Sequence, residues 1–211
     1  MKFGELLSIV GGESVFSSSL LLAGEGGADS IRCQLSRWVK AGKLIQLRRS
    51  LYMLASPYRK KEPHPFLLAN RMKAASYVSL QSALAHYGLI PEYVPVVTSV
   101  TTGRPEAMTV PVGTFSFKHV KKSFFSGYIS LGLADDESAF IAVPEKALLD
   151  LVYLTPGGDR FEYLNGLRLQ NLDQLNLERL CSYAEATGST KLGRAVEGVV
   201  SLAEKEEYVE L

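Results

Sequence analysis

The sequence predicts a protein of the α+β class, and three observations support this. Apolar residues recur with the helical period near the N-terminus, β-branched and aromatic runs separated by Gly, Pro and Asp fill the middle, and helical patterns return after Pro144. Helices and strands that occupy separate stretches, instead of alternating regularly, are typical of this class. We therefore expect a helical N-terminal unit, a small and mainly antiparallel sheet, and C-terminal helices.

The N-terminal stretch contains three helical patterns. In the first, four apolar residues lie on one helical face before Gly11 and Gly12 end the pattern: Phe3, Leu6, Leu7 and Val10. A short second helix is predicted to begin after an N-cap at Ser17 and to end at Gly24. The third has Asp29 as its predicted N-cap and an apolar face of four residues: Ile31, Leu35, Trp38 and Val39.

Two short β-prone runs follow the third helix. They cover Leu44–Arg48 and Leu51–Leu54, and Arg49 and Ser50 separate them. The order of three helices and a hairpin predicts a winged helix-turn-helix. Trp38 is expected to pack in its core.

A proline-rich segment, SPYRKKEPHP at 56–65, predicts a linker because three prolines in ten residues cannot sustain a helix or a central strand. The expected organisation is a winged helix-turn-helix domain at 1–56, a linker at 57–65 and an α+β domain at 66–211. In this second domain, helices are predicted at 65–74 and 79–87, the latter with Ser79 as N-cap and Gly88 as its end. Strands are predicted at 94–102, 107–110, 113–120, 127–131 and 138–142, then a helix at 144–154 and three near 161–169, 176–187 and 189–205.

Composition excludes several classes of protein. Hydrophobic residues make up 46% and charged residues 21%, and the sequence has no apolar run of the ~20 residues needed to span a bilayer. The N-terminus does not resemble a secretory signal, so a cytoplasmic location is expected. Cys33 and Cys181 stand far apart and the three histidines are isolated, which predicts free thiols and neither a metal nor another cofactor.

The charges are distributed unevenly. Residues 1–61 carry ten Lys and Arg against four Asp and Glu, a net charge of +6, whereas residues 62–211 carry thirteen against eighteen, a net charge of −5. A basic unit attached to an acidic remainder indicates a local attraction for phosphate.

A cluster of six cations lies in the third helix and the hairpin, with no acid between the first and the last: Arg32, Arg37, Lys40, Lys43, Arg48 and Arg49. On a third helix and its adjacent hairpin, such a cluster favours DNA binding over the alternative of a solvated face. Gln34, Ser36 and Arg37 are the candidate base readers, and Arg32 lies at the edge of the exposed face. The candidate phosphate contacts are Lys40, Lys43, Arg48 and Arg49.

Two other charged groups lie in the second domain. Glu145, Lys146 and Asp150 could suggest catalysis, but their spacing favours an acid in the first turn of a helix and an i,i+4 ion pair on its surface, so we expect no enzyme. A basic cluster beside Phe124 and Phe125 could contact a partner or be a solvated strand end. The candidates for partner contact are Arg104, Lys118, Lys121 and Lys122.

Four segments, in this order, resemble the AbiEi antitoxin family. They are AGKLIQLRRSLYML at 41–54, YVSLQSALAHYGLIPE at 77–92, VTSVTTGR at 97–104 and VPEKALLDL at 143–151. The resemblance extends over most of residues 3–155. One departure is Ser50, at a turn where the family commonly has glycine.

The resemblance implies a transcriptional regulator and antitoxin of a type IV toxin–antitoxin system, associated with phage defence. Its partners would be inverted repeats in operator DNA and a nucleotidyltransferase-like toxin, which it would counter with or without a stable complex. Two alternatives stay open at this point: a nucleic-acid-processing enzyme with a winged-helix targeting domain, and a protein-interaction module that masks the toxin. Monomer and dimer are both compatible with the sequence.

Overall fold

The computed structural model of the chain describes residues 1–21 and 27–209, with side chains as far as residue 204. It has a mixed α+β architecture with a three-stranded and a six-stranded sheet, as the fold class predicts. The predicted end of the second helix at Gly24 lies outside the described residues. No helix within the described ranges is both long and apolar enough to cross a membrane.

The described residues of the N-terminal part form three helices and three short strands. In chain order these are α1 (Phe3–Val10), β1 (Phe16–Ser17), α2 (Ser18–Leu21), α3 (Ala28–Lys40), β2 (Leu44–Arg48) and β3 (Leu51–Leu54). The sheet is antiparallel in the order β1-β3-β2. The bounds of β2 and β3 are those predicted, but Asp29 is not the N-cap of α3, since the helix begins at Ala28 and Gly27 is its N-cap.

These elements enclose a small core of eight buried residues: Leu6, Val10, Phe16, Leu21, Ile31, Leu35, Leu44 and Leu54. Trp38 packs against this core, with its ring centroid 5.4 Å from that of Phe3 in an edge-on arrangement. The core role expected for the single tryptophan is confirmed.

The larger part begins with α4 (Pro65–Met72), β4 (Ser76–Val78) and α5 (Leu80–His86). The strands that follow are β5 (Val96–Thr101), β6 (Glu106–Val110), β7 (Gly113–His119), β8 (Tyr128–Gly132) and β9 (Ser138–Ala142). The chain closes with α6 (Pro144–Leu154), α7 (Phe161–Gly166), α8 (Leu177–Thr187) and α9 (Thr190–Val209). Single 3₁₀ turns occur at Lys122–Phe124, Ala134–Asp136 and Leu172–Gln174.

The six-stranded sheet has the order β6-β7-β5-β4-β9-β8. Three neighbouring pairs are antiparallel, whereas β5 with β7 and β4 with β9 are parallel, so the sheet is more mixed than expected. The prediction missed β4, which lies in the middle of this sheet. The five other strands and the helix at Pro144–Leu154 match their predicted positions closely.

The two parts of the chain share buried residues. Leu47 of β2 and Met53 of β3 belong to the core of the larger part, where they are 3% and 0% exposed. The segment between Ala55 and His64 forms turns and bends. The linker predicted at 57–65 remains a prediction, but side chains of the hairpin β2–β3 pack in the cores of both parts.

Candidate functional site

Helix α3 has one buried and one exposed side. Ile31 and Leu35 are 6% and 0% exposed, and the helix packs on β2. The residues on the opposite side are exposed, and they are Arg32, Cys33, Ser36, Arg37 and Lys40. This segregation follows from the helical period, which the apolar residues obey. The helix therefore presents a cationic surface to solvent.

Three of the predicted contact residues have partners within the chain. Arg32 pairs with Asp29 of the same helix, with an N to O distance of 3.0 Å, and both side chains are exposed. The side-chain amide of Gln34 lies beside the backbone of Met1, and with the amide turned so that its nitrogen faces the Met1 carbonyl the two atoms are 2.9 Å apart. The ammonium of Lys43 lies 4.8 Å from the centroid of the Phe3 ring, within the distance of a cation–π interaction.

Arg48 is directed towards the larger part of the chain. Its guanidinium donates a hydrogen bond to the carbonyl of Met72 at the end of α4, and it lies 3.9 Å from the carboxylate of Glu106. Glu106 also accepts a hydrogen bond from the ammonium of Lys73 at 2.5 Å. The structure thus separates Arg48 from the exposed cations of α3.

Ser50 lies in the turn between β2 and β3, where the AbiEi family commonly has glycine. Ser50 has a φ of +66°, in the left-handed region that glycine adopts most readily. Its carbonyl accepts a hydrogen bond from the backbone nitrogen of Ser18 at 2.8 Å, which ties the turn to the start of α2. Arg49 beside it is exposed. The turn therefore takes a glycine-like shape although its residue has a Cβ.

The second basic cluster is exposed, but its aromatic neighbours face inwards. Its four cationic residues, Arg104, Lys118, Lys121 and Lys122, are all exposed. Phe124 is 5% exposed and stacks on Tyr153 with a centroid distance of 4.5 Å, and Phe125 packs 5.0 Å from the ring of Tyr77. Because both rings are used in packing, the combination of exposed cations and stacking aromatics that binds single-stranded nucleic acid does not form here.

The expected surface ion pair on α6 is instead buried. Glu145, Lys146 and Asp150 are 1%, 3% and 0% exposed. Lys146 and Asp150 do pair at i,i+4, but within the core. A sequence signal for this burial exists: apart from Asp150, the residues of α6 from Ala147 to Val152 are all apolar, and a helix that is apolar on more than one face is typical of a core position.

Two hydroxyl groups complete the buried cluster. The hydroxyls of Ser79 and Tyr77 both donate to Oδ2 of Asp150, at 2.7 and 3.1 Å, while Lys146 donates to Oδ1. Ser79 precedes α5 as predicted, but its side chain forms no cap and binds Asp150 instead. The cluster thus joins β4, the start of α5 and α6.

The ammonium of Lys146 lies among aromatic rings, 4.0 Å from the centroid of Phe124 and 5.7 Å from that of Tyr77. Gly127 covers its stem so closely that an added Cβ would lie 2.9 Å from Cγ of Lys146. Burial lowers the pKa of Lys146 and raises the pKa of Asp150. The attraction between the two charges opposes both shifts but is the smaller effect. Burial and the neighbouring Asp150 also raise the pKa of Tyr77, which remains a hydrogen-bond donor.

Glu145 has a separate set of partners. Its Oε1 accepts a hydrogen bond from the backbone nitrogen of Asn176 at 2.8 Å, and its Oε2 lies 3.6 Å from the guanidinium of Arg179. The three titratable groups of α6 therefore fix packing contacts, and a substrate approaching from solvent would not reach them.

His64 and His86 lie beside an open cleft of about 730 Å³ between α4, α5 and the segment 90–97. Nδ1 of His64 accepts a hydrogen bond from the backbone nitrogen of Phe66 at 3.1 Å, so His64 is the N-cap of α4. Burial, and secondarily the nearby His86, lower the pKa of His64. Over the described residues, no group of three or more His, Cys, Asp and Glu is arranged to hold a metal ion.

No protein-family model matches the chain, and no curated protein matches it.

Proposed function

We propose that this protein is a DNA-binding transcriptional repressor whose N-terminal part is a winged helix-turn-helix. The observation that carries the proposal is the exposed cationic side of α3, opposite the buried Ile31 and Leu35. A helix whose apolar side packs on its own domain and whose other side exposes cations suits the major groove of DNA.

Within this proposal, the exposed residues have different roles. Ser36 and Arg37 read base edges, and Lys40 and Arg49 contact phosphates. Arg48 supports the hairpin from the side of the larger domain, because its guanidinium binds Met72 and approaches Glu106. Lys43 and Gln34 lie at the margin, next to Phe3 and Met1.

We also propose that the protein is an antitoxin, and the resemblance to the AbiEi antitoxins supports this role. The protein would repress its own operon at inverted repeats, and its α+β domain would counter a nucleotidyltransferase-like toxin of a type IV toxin–antitoxin system. Growth of cells that express the neighbouring gene alone and together with this chain tests that role. If the chain does not relieve the toxicity of that product, the antitoxin role is wrong.

DNA binding is tested with a labelled duplex carrying the inverted repeats upstream of the gene. The double variant Arg37→Ala/Lys40→Ala should weaken binding in fluorescence anisotropy, because two contacts to DNA are lost. If both contacts are to phosphates, the slope of log K against log salt should fall by about 2 in magnitude. If Arg37 reads a base, the loss should be larger on the specific duplex than on a scrambled one.

Arg71 provides the matched control, since it is an exposed helical arginine of the larger part. Arg71→Ala should leave the affinity unchanged. Equal binding by the α3 double variant and the native chain, at the same salt concentration, would contradict the assignment of this surface.

A further inference from the structure

Strand β8 forms one edge of the six-stranded sheet, with β9 as its neighbour. Its sequence, YISLG, contains no charge and no proline, although exposed edge strands are usually protected by such residues. The opposite edge, β6, has this protection: it begins at Glu106 and lies between Pro105 and Pro111. The two edges of the sheet therefore differ in how they can meet another strand.

The hydrogen bonds around β8 show which of its backbone groups point outwards. The carbonyl of Gly127 accepts from the nitrogen of Val143 at 3.0 Å, and the nitrogen of Leu133 donates to the carbonyl of Glu137 at 2.8 Å. In an antiparallel ladder every second residue forms such a bonded pair, so Ile129 and Leu131 bond inwards to β9. The backbone groups of the residues between them, Tyr128, Ser130 and Gly132, point to the open edge, and all three residues are exposed.

We propose that two copies of the chain associate through β8, antiparallel and about a two-fold axis at Ser130. In this register the outward groups of the two strands match: Ser130 meets Ser130 of the second copy, and Tyr128 meets Gly132 of the second copy. All of these are hydrogen-bonded pairs, which gives a ladder of six backbone hydrogen bonds. The two sheets become one sheet of twelve strands.

The side chains are complementary in the same register. Each Tyr128 lies opposite a glycine of the second copy, so its ring, which stacks on Tyr77 of its own chain with a centroid distance of 4.7 Å, meets no opposing side chain. Ile129 lies opposite Leu131 of the second copy in a close, non-hydrogen-bonded pair. Tyr128, Ile129 and the adjacent Phe140 are 38%, 47% and 48% exposed, so the edge has apolar surface to bury.

The charges on either side of β8 are complementary as well. Lys121 and Lys122 precede the strand and Asp135 and Asp136 follow it, and all four are exposed. Antiparallel pairing brings the basic start of one strand towards the acidic end of the other, at both ends of the interface. The ammonium of Lys61 lies beside the acidic segment that follows β8, 3.4 Å from the carbonyl of Asp135. The backbone hydrogen-bonding groups, the side chains and the charges of this edge are therefore all complementary to those of a second copy of the chain.

The first experiment measures mass by light scattering during size-exclusion chromatography, at loadings of roughly 1 to 100 μM. The native chain should approach twice the monomer mass as its concentration rises. Ser130→Lys places two ammonium groups opposite each other and should weaken association by about tenfold or more. Ala107→Lys, at an exposed position on β6, is the matched control and should dimerise like the native chain.

The second experiment uses a disulfide and does not depend on dimer affinity. Residues in a hydrogen-bonded antiparallel pair have Cα atoms about 5.5 Å apart, within the range of a disulfide. In a chain carrying Cys33→Ser and Cys181→Ser, Ser130→Cys should form a covalent dimer under mild oxidation, whereas Ala107→Cys should not.

Three results would overturn the proposal. They are a native chain that stays monomeric at every loading, a dimer that Ser130→Lys leaves intact, and equal cross-linking by the two cysteine variants. Far-UV circular dichroism of each variant establishes that it is folded, so that a loss of dimer is attributable to the edge.

Discussion

Lys146 and Asp150 are one helical turn apart on α6, and both are inside the core. Removing two charges from water is costly, and their mutual attraction compensates only when further hydrogen bonds satisfy the ions. Ser79 and Tyr77 supply such bonds to the carboxylate, and the rings of Phe124 and Tyr77 face the ammonium. Five side chains therefore stabilise one another here, and the loss of one should affect the other four.

This balance leads to a prediction for Lys146→Met. The substitution leaves Asp150 buried without its cation, which should reduce the free energy of unfolding by about 3–5 kcal/mol. Urea denaturation monitored by circular dichroism measures the loss. The double variant Lys146→Met/Asp150→Leu should recover part of it, since no unpaired charge remains.

An exposed pair provides the control for this experiment. Arg32 and Asp29 are 66% and 94% exposed, so Arg32→Met should cost no more than about 1 kcal/mol. Equal losses for Lys146→Met and Arg32→Met would mean that burial of the ion pair does not determine its contribution.

At the scale of residues, the sequence predicts which side chains form an ion pair better than it predicts whether they are buried. The i,i+4 spacing of Lys146 and Asp150 indicated their pairing, but not their burial, because burial depends on what packs around the whole helix. Proximity in sequence predicts that Arg48 lies with the cations of α3. Its direction depends on Met72 and Glu106, which are distant in sequence.

At the scale of elements, local sequence patterns predict the bounds of helices and strands wherever a segment has a clear hydrophobic period or a clear terminating residue. The predicted bounds of β2, β3, β9 and α6 match the structure. β4 was missed because its three residues, Ser76–Val78, are all buried and too few to show an alternating pattern. Its partner β9 lies far along the chain, so the parallel pairing that completes the sheet has no local signal.

The start of α4 gives a prediction for pH. His64 caps this helix through an unprotonated Nδ1, and its pKa is lowered from 6.5, first by burial and then by His86. A lowered pKa in the folded state means that stability is fully present above pH 6.5 and is lost as the pH falls below that value. Stability measured by urea denaturation should therefore decrease between about pH 7 and 5.

Two variants test whether His64 causes this decrease. Asn accepts the same capping bond without titrating, so His64→Asn should make the pH dependence shallower. His119→Asn, which replaces an exposed histidine elsewhere, should leave it as in the native chain. A steep decrease that persists in His64→Asn would exclude the cap as its origin.

At the scale of the whole molecule, the hairpin β2–β3 connects two cores. Leu44 and Leu54 pack in the small N-terminal core, whereas Leu47 and Met53 pack in the large one. Composition and the prolines at 57–65 indicated a division of the chain there. They could not indicate that side chains before the prolines pack in the core that follows, because one hairpin with two apolar sides is compatible with either arrangement.

This sharing of the hairpin predicts that the two parts unfold together. Trp38 is the single tryptophan and reports on the N-terminal core, whereas far-UV circular dichroism reports on all helices and strands. The two urea transitions should coincide. Met53→Ala, which removes a fully buried side chain, should shift both to lower urea by an equivalent of about 2–5 kcal/mol.

Separate midpoints would contradict this prediction. Ile9→Ala gives a control at an exposed position on α1, and it should leave both transitions where they are.

Glu106 serves as a shared counter-ion, accepting from Lys73 at 2.5 Å and lying 3.9 Å from Arg48. A carboxylate on the edge strand of the other sheet therefore offsets part of the positive charge of the hairpin. Neutralising that carboxylate would increase the effective charge of the N-terminal part without altering any residue in it.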